Sequence, residues 1–157
     1  MGKKRRSLGF TQTRIEALVV ANHVEASQGG LVYISGAGWV ICNRPMTPDG
    51  QRPPSAIGVA VFLYVPWNDT NRPIGLTVRV EGADGEVVTA SPKIPIPIGR
   101  PSDLPLGSAQ YPAVAANLLV NFPKAGSYRI VAELDGSSEV RVWEFFVRDL
   151  PPQQAAA

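Results

Sequence analysis

One histidine, one cysteine and one dense polar corner are the first places to look for chemistry in this 157-residue chain. A thiolate–imidazole pair would have to use Cys42 and His23, the single members of their kinds. Such a pair works at about 3 Å. If 16–26 and 31–42 form a hairpin about Gln28–Gly30, His23 falls opposite residue 34 or 35. Cys42 then lies about seven residues further along, on the order of 24 Å away at strand rise. That register excludes the dyad. A Ser–His–Asp triad would need the same histidine, and no GxSxG elbow is present. His23 therefore reads as a partly exposed strand residue beside Glu25.

Metal and phosphate chemistry find little more. A structural zinc site cannot be completed from one His and one Cys. The corner "VPWNDTNRP" (65–73) brings one carboxylate, Asp69, plus amide oxygens, whereas a dedicated calcium loop supplies several carboxylates and a bidentate Glu. "TPDGQ" and "GADGE" are Asp-Gly turns. "SGAGW" (35–39) lacks the spacing and the following helix of a phosphate-cradling loop, so its glycines read as a bulge with Trp39 packed nearby. No cofactor and no metal is expected, and the chain reads as no enzyme. The corner itself reads as a turn: Pro66 and Pro73 stop two strands, Trp67 anchors the loop on the core, and Asn68–Asn71 cap backbone donors.

Charge is concentrated at the start. The formal net charge is +2, yet Lys3, Lys4, Arg5 and Arg6 alone supply four positive charges and leave 11 basic against 13 acidic groups elsewhere. The body is thus close to neutral, and nucleic acid, if contacted, is contacted through this basic arm only. The segment after the arm, "SLGFTQTRIEALVV", has Thr, Gln, Arg and Glu where a signal peptide has a continuous apolar run. No stretch approaches the length of a transmembrane helix. A lone cysteine and these absences make cytoplasmic the expected location.

The elements that position these residues are strands. Fifteen prolines and fifteen glycines punctuate the chain too often for long helices. Short Val-, Ile- and aromatic-rich runs alternate with turn signals: 16–26, 31–42, 56–65, 74–82, 87–98, 113–122, 127–134 and 139–149. This pattern predicts an all-β, antiparallel immunoglobulin-like β-sandwich of seven to nine strands. The chain divides into a basic flexible arm (1–13), a single sandwich domain (14–149) and a loose tail (150–157). Pro92, Pro95 and Pro97 remove backbone donors, which sends 87–98 to a sheet edge. Tyr128, after the "AG" turn, is expected to bond its hydroxyl back to the backbone at a corner.

One strand breaks the two-faced pattern. In 56–65, Ile57, Val59, Val61, Leu63 and Val65 form one apolar set, and Ala60, Phe62 and Tyr64 form another. Both faces need cover, either from the Pro-rich 87–112 segment or from a partner. Phe62 and Tyr64 are the candidate protein interface on that reasoning.

The stretches "LVYISGAGW" (31–39), "VPWNDTNRP" (65–73), "PIPIGRP" (95–101) and "GSYRIVAELDG" (126–136) resemble an uncharacterised family of small bacterial sandwich proteins, frequent in actinobacteria and known as a domain of unknown function. The resemblance runs from about Ile15 to Arg148. The family often carries more acidic residues than "NDTN" at the corner, which weakens any carboxylate-based role here, and the basic arm looks like an addition to its pattern. The resemblance implies no established activity and supplies no catalytic residues. The leading functional expectation is a binding or assembly module that engages an unknown protein partner or forms a homo-oligomer. The alternatives are a capsid-associated or nucleoprotein component using the Lys3–Arg6 arm, and an enzyme of unrecognised type.

Overall fold

The computed structural model describes residues 12–152. Ten strands run in chain order: β1 (Arg14–Ala26), β2 (Val32–Ala37), β3 (Ile41–Met46), β4 (Ser55–Tyr64), β5 (Pro73–Gly82), β6 (Val87–Ala90), β7 (Ile94–Pro97), β8 (Ala113–Val120), β9 (Gly126–Leu134) and β10 (Val140–Pro152). A single 3-10 turn, Trp67–Asp69, sits between β4 and β5. The first sheet has the order β2-β1-β4-β8. The second has the order β3-β10-β9-β5-β6, with β7 also paired to β5. The fold is an all-β sandwich, as the turn spacing predicts.

The count exceeds seven to nine because two expected strands are each broken. The run 31–42 leaves the first sheet at Gly38, whose φ of 89° lies in the left-handed region, and re-enters as β3 in the second sheet. Cys42 is therefore not further along the hairpin from His23 but in the opposite sheet. The run 87–98 breaks at 91–93, so β6 and β7 both pair with β5 at the sheet edge expected from their prolines. One pairing is not antiparallel: β3 runs parallel to β10, with Ile41 beside Phe146 and Cys42 beside Val147. Residues 150–152, expected in the tail, continue β10 and reach Met46.

Alternation builds the core. Leu76, Val78 and Val80 of β5, Tyr128, Ile130, Ala132 and Leu134 of β9, and Ile57, Val59, Val61, Leu63 and Val65 of β4 and its end all bury between the sheets. Each such Val, Leu or Ile contributes about 1.5–3 kcal/mol on leaving water. Phe122, Tyr128 and Phe145 close one end as an aromatic cluster, and the Tyr128 hydroxyl donates to the Lys124 carbonyl at 2.7 Å, the expected corner bond.

The second apolar face of β4 is covered from within the chain: Tyr111, in 87–112, packs on Tyr64, and the β1–β2 hairpin covers Ala60 and Phe62. β1 pairs with β4 as far as Ala21–Gly58 and then crosses over it. A Cβ on Gly58 would lie 2.7 Å from the His23 carbonyl carbon and 2.8 Å from its Cα, so only glycine lets the β1 backbone pass. Past the crossing, the Asn117 side-chain amide of β8 clips Val24: its carbonyl accepts from the Val24 N–H at 3.2 Å, and its NH₂ donates to the Val24 carbonyl at 2.7 Å. The β1–β2 hairpin thereby packs Val24, Val32 and Ile34 onto Ala60, Phe62 and Ala115 as a second, smaller core.

Candidate functional site

The polar corner is a turn whose groups are largely spent on holding itself. Pro66 and Thr70 are buried, and the Thr70 hydroxyl donates to the Trp67 carbonyl at 2.6 Å. Trp67 does not reach the core. Its ring lies half-exposed under the Arg100 guanidinium, 4.4 Å from the ring centre, and Arg100 also donates to Thr70 Oγ1 and the Trp67 carbonyl. Asp69 Oδ2 accepts from both the N–H and the hydroxyl of Thr13, and Oδ1 accepts from Arg72. Asn71 contributes a left-handed backbone (φ 58°) and an N–H to the Ile98 carbonyl. Among the described residues no hydrogen bond uses the side chains of Asn68 or Asn71, so the capping of a backbone donor falls to Asp69, while Thr70 donates to a backbone carbonyl. A shallow polar depression of about 460 Å³ opens beside the corner, between Thr13, Asp69, Arg72 and the 135–138 turn.

The other expected sites disperse. Cys42 is half-buried, and burial pushes its thiol above the ordinary range against a smaller opposite pull from a hydrogen bond with Ser55. A thiol held neutral is a poor nucleophile. Among the described residues no three His, Cys, Asp or Glu side chains lie together as metal ligands. Phe62 is half-buried under the hairpin. Tyr64 is half-buried between Tyr111, ring centres 5.5 Å apart, and the Arg14 guanidinium. The gap in cover that singled out these two residues is filled within the chain. Lys3, Lys4, Arg5 and Arg6 lie outside the described residues.

A group of exposed apolar side chains lies on the outer face of the second sheet. Along β10, Val140, Val142 and Phe146 point outward, with Glu144 between the last two. Ile41 lies beside Phe146 on β3, and Val40 precedes it. Val40, just before β3, and Ile41, Val142 and Phe146 are 59, 46, 49 and 47% exposed. A groove of about 450 Å³ runs beside Val40 and Phe146, with Arg129 and Glu144 on its walls. Next to this apolar band the same face carries an ionic lattice. Arg79 Nε donates to Glu81 at 2.5 Å, Arg129 Nε donates to the other Glu81 oxygen at 2.7 Å, and Arg79 also meets Glu133. The paired guanidiniums, Arg79 foremost, hold the Glu81 carboxyl below the usual carboxylate range. At the far edge Arg44 grips Asp149 with two nitrogens and also donates to the Phe122 carbonyl, which holds the Asp149 carboxyl low.

Sequence reasoning missed this band, although its signal is present. Phe145 and Phe146 are adjacent aromatics in a strand, and a strand must turn one of them outward. Phe145 is in the core and Phe146 is the outward one.

The sequence model of a family of unknown function, DUF6941, matches residues 16–147. The chain belongs to that family. The apolar band, the corner and the Gly58 crossing all fall inside the matched region, and the basic residues at 3–6 precede it. No curated protein matches the chain. Among solved structures, the chain is similar to a Pseudomonas fluorescens alkylpurine DNA glycosylase, AlkC, bound to DNA containing an abasic site analogue. The TM-score is 0.42 and the identity 10%, and the match covers 87% of this chain and 30% of that one. Among the described residues no helix is long and apolar enough to cross a membrane.

Proposed function

We propose that the chain is a non-enzymatic binding or assembly module that docks a protein partner on the outer face of β3 and β10. One observation carries the reading: Val40, Ile41, Val142 and Phe146 are left about half-exposed beside the paired charges of Arg79, Glu81, Arg129 and Glu133. Apolar side chains grouped and rimmed by polar ones mark protein contacts more often than chance, and an aromatic at the centre is the usual anchor. The partner that fits is a protein presenting an apolar ridge with flanking charges to meet Arg129, Glu144 and Arg148. The test is co-purification of the tagged full-length chain from its native host at low and high salt, beside a Phe146→Glu variant. A protein retained at high salt by the parent and lost at least tenfold by the variant, with unchanged thermal unfolding, supports the reading. Equal retention by both overturns it.

A second reading has its own support. Among the described cations, only Arg100, Lys124 and Arg148 have no carboxylate within ion-pair distance. With the other described cations paired, Lys3–Arg6 are the residues on which a nucleoprotein role would rest, with the sandwich making protein contacts.

A further inference from the structure

β8 ends the first sheet, and among the described residues its far side has no partner strand. The hydrogen-bond phase tells which of its groups face out. Val65 and Gln110 exchange both backbone bonds, and Leu63 donates to the Pro112 carbonyl. Pairs that exchange bonds recur at every second position of an antiparallel ladder. Continued along the unbroken Ser55–Phe62 register, this phase aims the backbone groups of Val114, Ala116 and Leu118 at β4. Those of Ala113, Ala115, Asn117 and Leu119 then point to the open edge. Among the described residues, no backbone bond outside the sheets reaches any of these four.

The other edges are protected and this one is not. The β6–β7 edge carries Lys93, Pro95 and Pro97, β3 contains Pro45, and β2 is short and ends next to Gly38. β8 is eight residues of "AVAANLLV" with no charge, no proline and no bulge, and Leu119 stands 70% exposed on it. Natural strands left in this condition pair with another strand.

We propose that the β8 edge pairs with the same edge of a second copy, antiparallel about a two-fold axis through Ala116, joining two four-stranded sheets into one. The segment is self-complementary in that register. Ala115 faces Asn117 of the second copy, and Ala113 faces its Leu119, so a small side chain meets a large one at each place. The four outward residues of each copy give about eight inter-chain hydrogen bonds. The Asn117 side chain is committed to Val24 and its backbone is left for the partner. With no charge on the strand, two copies meet without repulsion. An eight-residue edge buries less than the roughly 1,200 Å² of a standard interface, so the dimer is concentration-dependent. The β8 edge belongs to the other sheet from the β3–β10 docking face, so this pairing stands apart from that reading.

Sedimentation velocity on the full-length chain from about 10 µM to about 500 µM should show monomer passing to dimer. Ala115→Pro removes one outward N–H that the monomer does not use, and should weaken dimerisation at least tenfold. In a Cys42→Ser background, Ala116→Cys should form an inter-chain disulfide under mild oxidation, because residue 116 meets its own copy. Leu119→Cys, facing Ala113, should not. A chain that stays monomeric throughout the range overturns the pairing and leaves the partner-docking reading intact. A dimer that ignores Ala115→Pro and gives no Ala116 cross-link also overturns it. Should Ala115→Pro fail to fold, the contrast between the two cysteine variants decides.

Discussion

Glu81 is the residue where charge and burial pull hardest against each other. Its side chain is 7% exposed on the outward face of β5, between Arg79 on its own strand and Arg129 on β9. Their hydrogen bonds favour the ionised form and burial opposes it, and the net effect is a pKa below the ordinary value. A depressed carboxylate contributes stability that is complete above its unfolded pKa of about 4.3 and is lost as pH falls through the folded value. Glu81→Gln should therefore be less stable than the parent near neutrality, and the gap should close on acidification. Urea midpoints at about pH 7 and about pH 3 check this; a gap equal at both would make the loss one of packing. Strand alternation suffices to set Arg79, Arg129 and Glu133 opposite the core residues of β5 and β9, and that is where they lie. The clamp on Glu81 was not legible, because it depends on the register of two strands 48 residues apart in sequence. Tyr128 was legible, since its corner bond is local and spans only four residues.

At the level of elements, the hairpin crossing is the part of the fold most open to a single substitution. The sequence showed that β4 has two apolar faces, and cover from within the chain was expected from 87–112. That segment supplies only Tyr111 against Tyr64; the β1–β2 hairpin covers Ala60 and Phe62, because Gly58 lowers the sheet surface just where β1 must leave its edge. A glycine inside "AIGVAVFLYV" is the signal that would have pointed there, since a strand-interior glycine marks a close backbone approach. Gly58→Ala should cost about 1–3 kcal/mol by overpacking. Denaturant unfolding should show this loss, and hydrogen exchange should speed up at 22–34 before the central strands respond. Gly99→Ala, with open space around its Cβ, is the silent control. The splitting of 31–42 was harder to see. Trp39 and Val40 are as apolar as strand residues, and only tertiary placement of Trp39 against Phe145, ring centres 5.5 Å apart, carries the chain across.

For the whole molecule, turn spacing and alternation were enough for class and layers: an all-β sandwich with strand ends near the expected places. Pairing order was not available, because it is set by long-range contacts that local pattern does not encode. That is why the parallel β3–β10 pair and the extension of β10 to Pro152 are visible only in three dimensions. Ion pairing over the body leaves Lys3, Lys4, Arg5 and Arg6 as the concentrated charge of the chain, which makes the nucleoprotein reading sharply testable. Binding to duplex DNA should fall with salt at a log–log slope of about −3 to −4 for four phosphate contacts. Removing residues 1–10 should abolish it. Binding that survives the deletion would place the contact on the body and count against that reading.

Thr13 ties the corner to the start of β1. Its N–H and its hydroxyl both donate to Asp69, across 56 residues of chain. The first strand therefore cannot fray from its beginning without breaking the turn between β4 and β5, and both should lose hydrogen-exchange protection together. The corner that first invited a search for chemistry is then a latch: by holding one threonine, it joins the opening of the fold to its middle.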